Sequence, residues 1–201
     1  MHGSINSWYL PTNITIDGTT YELRTDYRAV IDVLIACNDP DITSDPDKDL
    51  IIDNIMLKIL VKGQVKDEHI LQVKKELIEF IDCGIKGDGK PKPRMMDWEQ
   101  DASLLIPAIN KVMGKDIRGE AYMHWWTFVS AYMEIGESAF STVLNIRNKR
   151  LHGKKLEKWE QEYFQNNKEL VVLKRSASAE DKKREAEERS ELKKLLYGKR
   201  K

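Results

Sequence analysis

Apolar and polar positions alternate from Ile14 to Leu23, first as Ile14-Thr15-Ile16 and then as Thr19-Thr20-Tyr21-Glu22-Leu23, which is the period of a half-buried strand. Asp17-Gly18 between the two runs supplies the positive φ that a tight hairpin turn demands. A two-stranded hairpin is marginal alone, so Trp8, Tyr9, Ile14, Ile16 and Tyr21 are expected to lie against the helices that follow. Beyond Leu23 the spacing of apolar residues lengthens to three and four. Thr25 is expected to cap a helix running to about Asn38, with Tyr27, Val30, Ile31, Leu34 and Cys37 on one face and Asp39-Pro40 as its end. Asp45-Pro46 reads as an N-cap followed by proline at the first helical position. Leu50, Ile51, Ile52, Ile55, Met56, Ile59 and Leu60 then form a stripe broad enough to be core on most sides, closed by Gly63. A third helix, from about Asp67 to Cys83, gathers Ile70, Val73, Leu77, Phe80 and Ile81 on one face. The short connections make these three antiparallel neighbours.

Three glycines and two prolines between Gly84 and Pro93 deny both helix and strand and predict a loop. After it, Asp97 and Gln100 have capping-box spacing, and Trp98, Ala102, Leu105, Ile109 and Val112 follow the helical period. Pro107 falls about half a turn from Trp98, so it is expected on the polar face, where it bends the helix. The stretch from Ala121 to Ile135 is apolar nearly all round and predicts a central helix covered on several sides. Helices from about Ser138 to Leu151 and from Lys154 to Asn166 complete the set, the last presenting Leu156, Trp159 and Tyr163.

Past Leu173 the texture changes to a charged run anchored by Leu192, Leu195, Leu196 and Tyr197, a stripe too thin for a stable isolated helix. The predicted organisation is mainly α. A single multi-helix domain spans 26–173, an N-terminal segment with the hairpin (1–25) packs on it, and a charged, partner-folded helical or flexible tail occupies 174–201. In 201 residues, 33% charged and 41% hydrophobic side chains are the balance of a globular protein rather than of a disordered or membrane chain. The formal net charge of zero hides an asymmetry, with Asp concentrated between Asp17 and Asp49 and Lys and Arg at the C-terminal end. Cys37 and Cys83 sit in apolar helical patterns where a free thiol packs as a small hydrophobe, in keeping with a reducing cytoplasm. There is no secretory signal pattern, and no apolar run has the length of a membrane span.

The four histidines share no ligand spacing with one another or with the cysteines, so no metal site and no cofactor are expected. Asp97 and Asp101, one helical turn apart, could hold Mg²⁺ with a third carboxylate. Capping and charge compensation at a helix N-terminus is the simpler role. Gly87-Asp88-Gly89-Lys90 follows a helix and lacks the Gly-Lys-Ser/Thr sequence of a phosphate loop. No nucleophile motif is present, and the expectation is a non-enzymatic protein. Trp125 and Trp126, beside His124 and Phe128, are either core or a partner-binding stripe, and core is favoured because the helix lacks a polar face. Leu192, Leu195, Leu196 and Tyr197 are candidate partner contacts in the tail. That tail could touch nucleic acid electrostatically, but interspersed glutamates and the lack of a recognition motif favour a protein partner. Arg28, Asp101, Asp116, Arg118 and Arg147 lie beside apolar segments and are expected to form buried ion pairs joining helices.

The chain resembles the bacteriophage gene-product-fifteen family from about Trp8 to Leu173. The residues that carry the resemblance are Asp26-Tyr27-Arg28, Asp97 and Asp101 ahead of Leu104-Leu105-Ile106, Gly114-Lys115-Asp116-Ile117-Arg118, His124-Trp125-Trp126-Thr127-Phe128 and Ile146-Arg147. The resemblance implies a helical tail-assembly chaperone in the cytoplasm of a bacterial host. Such a protein shields the tape-measure protein, helps recruit tail tube subunits and is absent from the finished virion. A completion protein retained in the head or tail, or a nucleic-acid-binding regulator, is the alternative. Self-association into a homo-oligomer stays open.

Overall fold

The N-terminal hairpin forms where the alternation places it. In the computed structural model, which describes residues 8–43, 45–85 and 93–174, strand β1 (Asn13–Ile16) pairs antiparallel with β2 (Thr19–Glu22) around Asp17-Gly18, both at positive φ. Ile14, Ile16 and Tyr21 point into the core. Trp8 and Tyr9 do not join them; both side chains are exposed.

The rest is mainly helical: α1 (Tyr27–Cys37), α2 (Pro40–Thr43), α3 (Lys48–Met56), α4 (Ile70–Ile81), α5 (Ala102–Met113), α6 (Trp125–Met133), α7 (Ala139–Leu151), α8 (Lys158–Asn166) and α9 (Lys168–Val171), with short 3₁₀ turns at Leu57–Ile59, Asp67–His69 and Ile117–Gly119. Contacts run from the hairpin to α4, from α4 to α3, from α3 to α1, then through α6 and α5 to α7 and α9. One core of buried apolar residues follows this path, and a smaller cluster of Val143, Ile146 and Val171 lies under α8 and α9. No helix among the described residues is long and apolar enough to cross a membrane.

Several boundaries differ from the sequence expectation for local reasons. Asp26, not Thr25, caps α1, its Oδ1 accepting the Arg28 N–H at 3.0 Å, while Thr25 is buried with its hydroxyl 2.7 Å from that of Tyr122. Asp45 closes a side-chain turn on the Asp47 N–H, so α3 begins at Lys48, after Pro46. Leu50, expected in the core, is exposed. Helix α3 stops at Met56 while Ile59 and Leu60 stay in the core, because Leu60 bridges to Leu23; Val61 N–H donates to the Glu22 carbonyl (2.9 Å) and Arg24 N–H to that of Ile59 (2.6 Å). Asp97 caps a turn rather than a helix, its Oδ1 accepting the N–H groups of Glu99 and Gln100, and α5 starts at Ala102. Pro107 is exposed, as its angular position predicts. Val112 and Trp159 also face solvent. Of the predicted loop from Gly84 to Pro93, residues 86–92 lie outside the described residues, as does the tail from 175.

Candidate protein-interaction surface

His124 sets the geometry of the tryptophan segment. It bridges to Asp26 in extended conformation and caps α6, its Nδ1 accepting the Trp126 N–H at 3.0 Å while Nε2 donates to the Pro11 carbonyl at 2.9 Å. The central helix therefore begins at Trp125, shorter than the apolar run. Burial pushes the His124 pKa down, partly opposed by the bond to Pro11.

Trp125 and Trp126 are not surface contacts. They are 3% and 6% exposed, and their indole N–H groups donate to consecutive carbonyls at the end of α4, Trp125 to Ile81 at 2.8 Å and Trp126 to Phe80 at 2.9 Å. These are last-turn acceptors that the helix itself cannot satisfy. Phe128 stacks on Tyr27 with centroids 4.7 Å apart and planes within 4°, and Trp98 meets Trp125 edge-on. The stripe is an aromatic core that ties α6 to α1 and α4.

The five charged candidates divide. Asp101 and Arg147, with side chains 1% and 6% exposed, form a bidentate pair joining the start of α5 to α7. Arg147 also donates to the carbonyls of Met95, Leu170 and Val171, so all five guanidinium N–H bonds are used. Arg28 is half-exposed: it pairs with its neighbour Asp26 and donates to the carbonyls of Ile117 and Glu120 at 3.3 and 2.7 Å. It joins α1 to a loop, not to another helix. Asp116 and Arg118 pair locally across an exposed turn, and the Arg118 hydrogen bonds hold the Asp116 carboxyl well below the usual carboxylate range. Their proximity in sequence makes this pair local and solvated, contrary to the expectation of a buried helix-joining contact.

Asp97 and Asp101 are committed elsewhere: Asp97 to its turn and Asp101 to Arg147 and the Asp97 N–H. Among the described residues no group of three or more His, Cys, Asp or Glu is placed to hold a metal ion. The Cys83 thiol is pushed up to about 12 by burial and by Asp82, which keeps it protonated and a poor nucleophile.

Among the apolar side chains that face solvent, two lie on one face of a single helix. Leu71 is 82% and Ile78 50% exposed on α4. Seven residues apart, they share one face of that helix about 10 Å from each other along its axis. Lys75 lies between them, and Lys74, paired with Asp53 of α3, runs alongside. Sequence reasoning missed both residues, because attention to the core stripe of α4 passes over apolar side chains on its charged face. An isoleucine and a leucine off the stripe were the available signal. Leu192, Leu195, Leu196 and Tyr197 lie outside the described residues.

No curated protein matches the chain, and no solved structure does. The model of one family, described as Bacteriophage Gp15 protein, matches residues 8–173. That match spans the hairpin, every helix described above and the Asp101–Arg147 pair, and the chain belongs to the Bacteriophage Gp15 protein family.

Proposed function

We propose that the protein is a non-enzymatic morphogenesis factor of a tailed phage, a tail-assembly chaperone that binds the tape-measure protein, and through it tail tube subunits, in the host cytoplasm. The observation that carries this reading, beside family membership, is the pair of exposed apolar anchors Leu71 and Ile78 on one face of α4. Anchors at i and i+7 are what one helix offers another when apolar faces pack. A tape-measure chain is a long helix that needs its apolar faces covered until the tube encloses them. Two anchors flanked by lysines bind modestly, and modest contacts repeated along a long partner give an overall affinity that subunit assembly can displace.

Mass spectrometry of purified virions tests the assignment. A chaperone is absent from the particle or present at trace level; stoichiometric amounts would make this a structural completion protein instead.

A further inference from the structure

Strand β2 has two edges, and one of them opens into a cleft. Leu23 N–H donates to the Thr12 carbonyl at 2.9 Å, which makes Thr12/Leu23 a hydrogen-bonded pair. With Asn13 opposite Glu22 and Thr15 opposite Thr20, antiparallel alternation turns the N–H and C=O of Thr20 and Glu22 toward the other edge. Glu22 uses its carbonyl there, accepting from Val61. Beyond Val61 the chain turns away through Gly63 at φ +47 and returns at Lys66, whose Nζ donates to Thr19 Oγ1 at 3.0 Å. Between the two segments lies a cleft of about 600 Å³, walled by residues 19–22, 60 and 62–66. Thr20 faces it with no backbone partner among the described residues.

We infer that this cleft binds a short extended peptide segment bearing a carboxylate, which continues the ladder from Thr20 and sets its carboxylate between Lys62 and Lys66. An unpaired strand edge is a template for another strand, and main-chain bonds supply the affinity while side-chain contacts select the sequence. The volume lies within the roughly 300–1,000 Å³ of ligand pockets. Of the charged residues lining the cleft, Lys62 and Lys66 outnumber Glu22, so an acidic ligand is favoured over a basic one such as the chain's own C-terminal residues. The site is separate from Leu71 and Ile78 and stands whether or not the chaperone reading does.

The test is an NMR titration of the ¹⁵N-labelled full-length protein with a short blocked peptide of threonine and valine around one central glutamate. Expected are shifts confined to Thr20 and residues 62–66, slowed exchange of the Thr20 amide, and affinity about tenfold lower when glutamine replaces the glutamate, the weight of a charge-assisted hydrogen bond. Thr20→Pro removes an N–H that β1 does not use, so it should abolish binding with the hairpin intact. Lys62→Glu, at the surface, should weaken binding while the Lys66 bond to Thr19 of β2 is kept. No shift at Thr20 with millimolar peptide, unchanged affinity in the charge-reversed variant, or equal binding of a lysine-centred peptide would overturn the assignment.

Discussion

Asp101 and Arg147, 46 residues apart in the chain, meet in the interior through two hydrogen bonds of 2.6 and 2.8 Å. The pair fastens α5 to α7, and the remaining guanidinium N–H groups hold the carbonyls of Met95, Leu170 and Val171, so Arg147, together with the Gln100 side chain bonded to Glu169, Val172 and Lys174, ties the C-terminal end of the described chain to the core. Arg147→Met is expected to destabilise the protein by about 3–5 kcal/mol, because it leaves a buried carboxylate unpaired. Adding Asp101→Leu should recover part of that loss by removing the stranded charge. Urea unfolding of the two variants checks both statements; an Arg147→Met variant as stable as wild type would remove the pair from the account.

Trp126→Phe keeps most of the buried volume and deletes the N–H that serves the Phe80 carbonyl. A loss of about 1 kcal/mol is expected, the net contribution of one hydrogen bond, because the Phe80 carbonyl keeps the Cys83 N–H at 3.1 Å. Trp126→Ala should lose about 3–5 kcal/mol through the cavity it leaves. Thermal or chemical unfolding reads both.

His124 gives the fold a pH dependence of defined sign. Its Nδ1 accepts the Trp126 N–H, so a proton there would face another proton, and burial lowers the folded pKa below the unfolded one. A depressed histidine pKa means the unfolded chain binds the proton more readily. The stability it contributes is complete above the unfolded value, near 6.5, and is lost as pH falls toward the folded value. His124→Asn retains a side-chain acceptor for the cap and should flatten the slope of stability against pH just below 6.5, measured by urea midpoints across that window.

Local features were the most legible in the sequence. Asp17-Gly18 with Ile14, Ile16 and Tyr21 specifies the hairpin because turn and alternation act over a few residues, and Ser138 caps α7 for the same reason. Helix starts read less well where a polar side chain had two possible tasks. Thr25 could cap a helix but bonds to Tyr122, and Asp97 could cap α5 but closes a turn ahead of it. The charges of Asp101 and Arg147 were visible as candidates, while their choice of each other over Asp116 or Arg28 depends on how α5 and α7 cross. The cleft beside Thr20 was not readable at all, since it depends on where residues 59–66 return to the strand.

Leu71→Ser with Ile78→Ser alters side chains that already face water, so stability should stay within about 0.5 kcal/mol of wild type. Any large loss of stability would show that these residues pack in the folded chain, which their exposure argues against. Unfolding midpoints of the double variant decide this before any binding experiment is interpreted.

The most direct measurement is co-expression of the full chain with the tape-measure and tube proteins of the same phage, followed by pull-down and sizing, with the Leu71→Ser/Ile78→Ser variant in parallel. A soluble complex with the tape-measure protein that forms with wild type and is lost or much weakened with the variant is the predicted result. No association with either protein, or an association that the variant leaves unchanged, would contradict the claim that the α4 face holds a tail-assembly partner.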